Sequence, residues 1–192
     1  EIRAVVPGEG YYARSDEFVP QGDGEEEDED EGRTELMDAA EDGDTEMVTV
    51  LLAAPGIDVN AAALNDNGNT ALLCAAAGGH TETVIALLAA PGIDVNAETR
   101  DGTTALMLAV TDGHTETLTA LLAAPGIDVN AVNDPGSTAL KIAVGRGHTV
   151  TVTALLAAPG IDVNAANGLG MTATALMDAA EDGDTEMVTV LL

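Results

Sequence analysis

The sequence predicts an all-α solenoid of stacked helix-turn-helix units, about five in number with the last truncated, and three observations predict it. First, the octapeptide Ala-Ala-Pro-Gly-Ile-Asp-Val-Asn occurs four times. It starts at Ala53, Ala89, Ala123 and Ala157, so the steps are 36, 34 and 34 residues. Second, a pattern of Thr-Ala-Leu, then Ala, then Gly-His-Thr recurs between its copies. A fixed period of roughly 20 to 50 residues is the mark of a repeat array. Third, aromatic residues make only 2% of a chain that is 46% hydrophobic. A core of Ala, Leu and Val suits thin, closely packed helices better than a broad sandwich.

Each unit reads as two short helices of about eight to ten residues. The first opens at Thr70, Thr104 or Thr138, whose hydroxyl can accept from the amides that a helix start leaves unpaired. It carries apolar residues at helical spacing, as in Leu106, Ala109 and Val110, and is expected to stop at Gly79, Gly113 or Gly147. The second begins near the following Thr. Its apolar face is Val84, Leu87 and Leu88, then Leu118, Leu121 and Leu122, then Val152, Leu155 and Leu156. Pro-Gly ends it, because proline cannot continue a helix and glycine accepts positive φ. Ile-Asp-Val-Asn leads out, and a turn with Gly68, Gly102 or Gly136 leads into the next unit. One such pair cannot bury its apolar face alone, so stacking must do it.

These residues resemble the ankyrin repeat, in which a glycine turn precedes Thr-Pro-Leu-His, then Ala-Ala, Gly-His, Leu-Leu and Asp-Val-Asn. The resemblance covers residues 33–192 and implies units at 33–67, 68–101, 102–135, 136–169 and 170–192. Ala71, Ala105, Ala139 and Ala175 stand where the family has proline, and Glu35 does so in the first unit. Met37, Leu73, Met107, Lys141 and Met177 stand where it has histidine. The bonds that this histidine makes to neighbouring repeats must then be absent or replaced, which would leave individual repeats less rigid. Extra residues before Thr70 and Thr174 are expected in surface loops.

The ends differ from the middle. Residues 36–52 recur unchanged at 176–192, and the sequence stops at Leu191-Leu192 on an apolar helix face. Solenoid ends need a polar outer face, so either more chain follows or another molecule covers Val188, Leu191 and Leu192. The sequence opens at Glu1, without Met or a signal-like segment, which reads as a processed or partial chain. Residues 1–32 form a separate, non-repetitive arm with all three aromatics, Tyr11, Tyr12 and Phe18, followed by the acidic run 25–31. It reads either as a tethered docking arm or as a disordered tail.

Composition narrows the function. The net charge is −28, with six Lys and Arg in all, so nucleic acid and anionic membrane surfaces are not the expected partners. No apolar run approaches a membrane span of roughly 20 residues. Cys74 is alone, lies in an apolar stretch and reads as a core residue that does not fix the compartment. No catalytic set, cofactor motif or metal site is expected. His80, His114 and His148 occupy equivalent places, about 10 Å apart if helix layers pack normally, and read as structural loop residues. The stretches Glu41–Glu46 and Glu181–Glu186 lack the spacing and length of a calcium loop. Thr45, Thr81, Thr115, Thr149 and Thr185 recur at one place and are expected to cap or flank the second helix. Thr49, Thr119, Thr153 and Thr189 recur at another and should face outward, where sugar attachment, a lateral contact and neutral drift all remain open.

The family resemblance implies a scaffold that binds a protein partner on its turn tips and on the exposed side of the first helices. Those positions are Arg33, Glu41, Asp42, Asp66, Asn67, Asn69 and Ala77, then Arg100, Asp101, Thr103, Thr111 and Asp112, then Asp134, Ser137, Gly145 and Arg146. The groove holds no Trp or Tyr, so the partner must bring aromatic or basic anchors. The alternative is a structural protein that stacks head to tail into filaments through its apolar end and aromatic arm.

Overall fold

The structure, a computed structural model, describes residues 32–63, 67–165 and 175–192. Among them ten helices follow one another in five pairs: α1 (Glu35–Glu41) with α2 (Thr45–Leu52), α3 (Ala71–Ala77) with α4 (Thr81–Leu88), α5 (Ala105–Thr111) with α6 (Thr115–Leu122), α7 (Ala139–Gly145) with α8 (Thr149–Leu156), and α9 (Ala175–Glu181) with α10 (Thr185–Leu191). The first helices touch in the order α1, α3, α5, α7, α9, and the second in the order α2, α4, α6, α8, α10. The result is two helical layers, with α3 and α5 side by side as the repeat requires. Residues 64–66 of the loop before Thr70, and 166–174 before α9, fall outside the described residues.

The helices are seven or eight residues long, shorter than expected. Threonine sets their start: Thr34, Thr70, Thr104 and Thr138 each accept from the amide three residues on, at 3.3–3.4 Å. The glycine expected to stop each first helix lies two residues past its end. The α3 helix ends at Ala77, Gly78 caps it in right-handed geometry, and Gly79 then turns the chain at φ 68°. A left-handed residue at that point lets the backbone reverse within three residues.

The core is one seam running the length of the stack. Leu36, Leu72, Leu106 and Leu140 are at most 2% exposed, and Val48, Val84, Leu118 and Val152 are fully buried. Ala40, Ala75, Ala76, Ala109 and Ala143 are also fully buried and keep neighbouring helices close. Met37, Leu73 and Met107, at the place of the family's histidine, are 1% exposed. Burying one such side chain contributes about 1.5–3 kcal/mol. A lone helix pair has nothing to bury it against.

Polar contacts also join the repeats. Asn60, Asn96 and Asn130 each donate from Nδ2 to the carbonyl of Gly92, Gly126 and Gly160 in the next repeat, at 2.8 Å. The side-chain oxygen of each accepts from Asp94, Asp128 and Asp162 N, again at 2.8 Å. Every Asn therefore bridges two backbone groups of the next unit.

Of the two roles expected for these threonines, flanking holds and capping does not: Thr45, Thr81 and Thr115 open the second helices without capping them. Their hydroxyls reach the next repeat, meeting those of Thr83, Thr117 and Thr151 at 2.8, 2.9 and 3.5 Å. The latter three are at most 1% exposed, so a lone hydroxyl there would be costly. The residue before each helix holds the cap position. Asp44 and Asp184 accept from Met47 and Met187 N, whereas His80, His114 and His148 make no capping bond.

The histidine rings point back instead. His80 Nε2 donates to Glu41 O at 2.8 Å, His114 Nε2 to Ala77 O at 3.2 Å, and His148 Nδ1 to Val110 O at 3.0 Å. Each ring packs on a glycine of the preceding repeat; a Cβ at Gly79 would lie 2.5 Å from His114 Nδ1. Gly79 is thus required both by its positive φ and by its neighbour. Gly92, at φ 81° with nothing within 4 Å, is required by φ alone. Gly92→Ala should lower stability by roughly 1–2 kcal/mol, the cost of a left-handed side chain. Gly79→Ala should cost clearly more, because the ring must also move. Equal losses in urea unfolding would show that the histidine packing carries no weight.

Candidate interaction surface

The turn tips and the C-terminal ends of the first helices form one exposed rim. The tips are stitched to one another by their backbones: Arg100 N donates to Asn67 O at 2.9 Å, and Asp134 N to Asp101 O at 2.7 Å. Asn67 sits at φ 53°, the left-handed geometry that asparagine tolerates, and is exposed. Arg100 and Asp134 are exposed, and Asn69, Asp101, Thr103 and Ser137 are half-buried. Ser137 N donates to Asn133 Oδ1 at 2.8 Å, which closes the fourth tip. Asp66, Tyr11, Tyr12 and Phe18 lie outside the described residues.

At the helix ends the residues share a place but not a chemistry. Glu41-Asp42, Ala77-Gly78, Thr111-Asp112, Gly145-Arg146 and Glu181-Asp182 are equivalent pairs. All are exposed except Thr111, which is half-buried and donates from its hydroxyl to Met107 O at 2.9 Å. Arg33 binds Asp38 at 2.9 Å and also Glu41, so the first helix carries its own cation. These bonds hold the Arg33 guanidinium further above its already high pKa. At the far end Leu192 is exposed, while Val188 and Leu191 are half-buried.

A central strip was missed by sequence reasoning. Asp38, Cys74, Leu108 and Ile142 are equivalent positions in the middle of the first helices. Cys74 is 8% exposed, as a core residue should be, but Leu108 and Ile142 are half-buried. An apolar strip therefore runs between the tips and the helix ends. The signal was present: three units put Cys, Leu and Ile where the first unit puts a carboxylate. Beside the strip lies a cavity of about 400 Å³. Leu73, Cys74, Leu108 and Ala77 give it apolar lining, Glu41 and Asn69 polar lining, and Gly78 completes the wall.

The third tip is electrostatically set. Thr99 Oγ1 donates to the Asp101 carboxylate, and this bond is the main cause that holds its carboxyl below the usual range. Partial burial opposes it, while bonds from Thr103, its own backbone amide and Asn67 add to the lowering. Among the described residues no group of three or more His, Cys, Asp or Glu could hold a metal ion, and no helix is long and apolar enough to cross a membrane.

Against known families, the model described as Ankyrin repeats (3 copies) matches residues 36–133 and 125–192, most of the chain. No curated protein matches the sequence.

The Asp101 geometry fixes a pH dependence. Its pKa is lower folded than unfolded, so its ionised form stabilises the fold above the ordinary aspartate range. That contribution fades as pH falls through the depressed value. Thr99→Val should raise the Asp101 pKa towards its ordinary value in an NMR titration. It should also narrow the difference in melting temperature from wild type as the pH drops below about 4. An unchanged Asp101 titration would show that Thr99 does not set it.

Proposed function

The chain belongs to the ankyrin repeat family, and from that premise we propose that it is a non-catalytic scaffold that recognises a protein partner on the rim of turn tips and first-helix ends. Ankyrin repeats generally mediate protein–protein interaction. One observation supports placing the contact on this face. Within the array, side chains that pack or bridge repeats are nearly constant, whereas the exposed helix-end pairs change from Glu-Asp to Ala-Gly, Thr-Asp, Gly-Arg and Glu-Asp again. The opposite face is exposed too and changes less: Thr49, Thr119, Thr153 and Thr189 repeat there, with Ile85 in the second unit, and Glu46, Glu82, Glu116 and Glu186 repeat with Val150 in the fourth. The threonine hydroxyls bond back to the carbonyl one turn earlier, at 2.8–2.9 Å. Chemical variation on an otherwise copied frame marks the face that discriminates between partners.

The partner is a protein rather than nucleic acid or an anionic membrane. The residues proposed to meet it are those at the rim: Arg33, Glu41, Asp42, Asp66, Asn67, Asn69, Arg100, Asp101, Thr103, Thr111, Asp112, Asp134, Ser137 and Arg146. Reversing charge at two of them, Arg100→Glu with Arg146→Glu, should weaken capture of the partner by roughly tenfold or more while the fold is kept, since charges at a contact govern selectivity. Undiminished capture of every bound protein would remove this face from consideration.

Self-association is a second reading, favoured by the copied segment at 36–52 and 176–192. Met187 is fully buried, yet its counterpart Met47 is 47% exposed. The first repeat thus presents a face that the same sequence buries elsewhere. A head-to-tail contact would seat it against Val188, Leu191 and Leu192 of a second copy, with Tyr11, Tyr12 and Phe18 as an assembly arm. Met47→Glu should then lower the weight-average mass in sedimentation at high concentration. A monomer at every concentration excludes this reading.

A further inference from the structure

We propose that the cavity beside α3 receives one large apolar or aromatic side chain of a partner segment that is basic on both sides of it. The inference rests on the rim reading above and specifies the partner's chemistry. The cavity exists because of a local gap in side-chain length. Ala77 stands in the second repeat where the first has Glu41 and the third has Thr111. This small residue leaves a notch between longer neighbours, whereas the space beside Gly78 is filled by the His80 ring. The apolar Leu73, Cys74 and Leu108 line the notch together with Glu41 and Asn69. Its volume of about 400 Å³ exceeds a leucine side chain and accommodates an indole or phenyl ring. A ring there would also contact the Cys74 sulfur, a favourable pairing. The chain contains no Trp, and its one Phe and two Tyr all precede residue 33, so the repeats supply no such ring themselves.

Charge selects what flanks the ring. Glu41 and Asp42 lie on one side of the notch and Asp112 on the other, with Cys74 and the His80 ring between them. Arg33 binds Glu41 and offsets part of the first charge, while Asp42 and Asp112 remain exposed carboxylates. Neighbouring repeats are about 10 Å apart, and an extended chain rises about 3.3 Å per residue. A cation about three residues from the ring on either side therefore reaches a carboxylate on each side. The pattern that fits is a base, two spacers, an aromatic residue, two spacers and a base, lying across repeats one to three.

The probe is the capped peptide Lys-Ser-Gly-Trp-Gly-Ser-Lys. The protein has no Trp, so the indole emission reports the peptide alone. Wild type should give a saturable blue shift. The peptide with Glu in place of both Lys should bind at least about tenfold more weakly. Ala77→Gln, which puts a long side chain into the notch at an exposed helix position, should abolish the shift without altering the melting temperature. Asp112→Asn should weaken the Lys peptide but not the Glu peptide. Absence of saturable binding at millimolar concentration overturns the proposal, as does equal binding of the two peptides or indifference to Ala77→Gln. If the notch fails while the Arg100→Glu, Arg146→Glu variant still loses its partner, the rim reading stands and only this occupant falls.

Discussion

The hydroxyl of Thr117 is fully buried, and its hydrogen-bond partner is Thr81 of the preceding repeat, 2.9 Å away. Contacts of this kind decide the architecture more than the helices do. Apolar burial pulls repeats together without direction, and alanine surfaces would tolerate sliding. The polar rungs do not. Asn96 must meet both Gly126 O and Asp128 N, and His148 must meet Val110 O. A slip of one turn would leave several buried or half-buried groups without partners, at about 1–3 kcal/mol each. The seam supplies attraction, and the rungs supply register.

This division explains how helices of seven or eight residues persist. Isolated helices of that length are marginal in water, and here each has at most one capping side chain, with none at α4, α6 and α8. Stability resides in the interface between units. It also explains why the same sequence has two environments. In the first unit Met47 is half-exposed, and in the last Met187 is fully buried. Position in the stack, not local sequence, determines the burial of that side chain. Residues that look alike by alignment within the chain are therefore not equivalent in energy.

The fold was legible because its signal is repeated. Period, threonine starts, Pro-Gly stops and the Val-Leu faces each appear several times, and the seam at Leu72, Leu106 and Leu140 follows from helical spacing alone. The bonding between repeats was less legible. Thr81 reads as a helix-start residue, and nothing local says that its hydroxyl faces Thr117 rather than its own helix. The recurrence of Thr83, Thr117 and Thr151 was visible, but burial at those places depends on a neighbour about 36 residues away. The candidate surface divides in the same way. Tip residues such as Arg100 and Asp101 could be placed from the turn pattern. The strip through Leu108 and Ile142 was marked only by Asp38 at the equivalent place, a weak signal, because apolar residues on a short helix look like core until the second layer shows which side is already occupied.

A frame held by fixed rungs has a consequence for how a surface can be specialised. None of the groups that set register lies at the exposed helix-end places: the rungs use Asn60, Asn96, Asn130, the paired threonines and the histidine rings, and they contact only backbone at Glu41 and Ala77. A carbonyl is presented equally well by glutamate and alanine, so the histidine of the next repeat meets either. Where Thr111 stands, His148 bonds Val110 O through Nδ1 instead, and the His80 ring fills the space that a side chain at Gly78 would take. The first place of each helix-end pair can therefore change at little cost to the stack, because its backbone oxygen joins repeats while its side chain faces outward, whereas the second place is tied to the ring beside it.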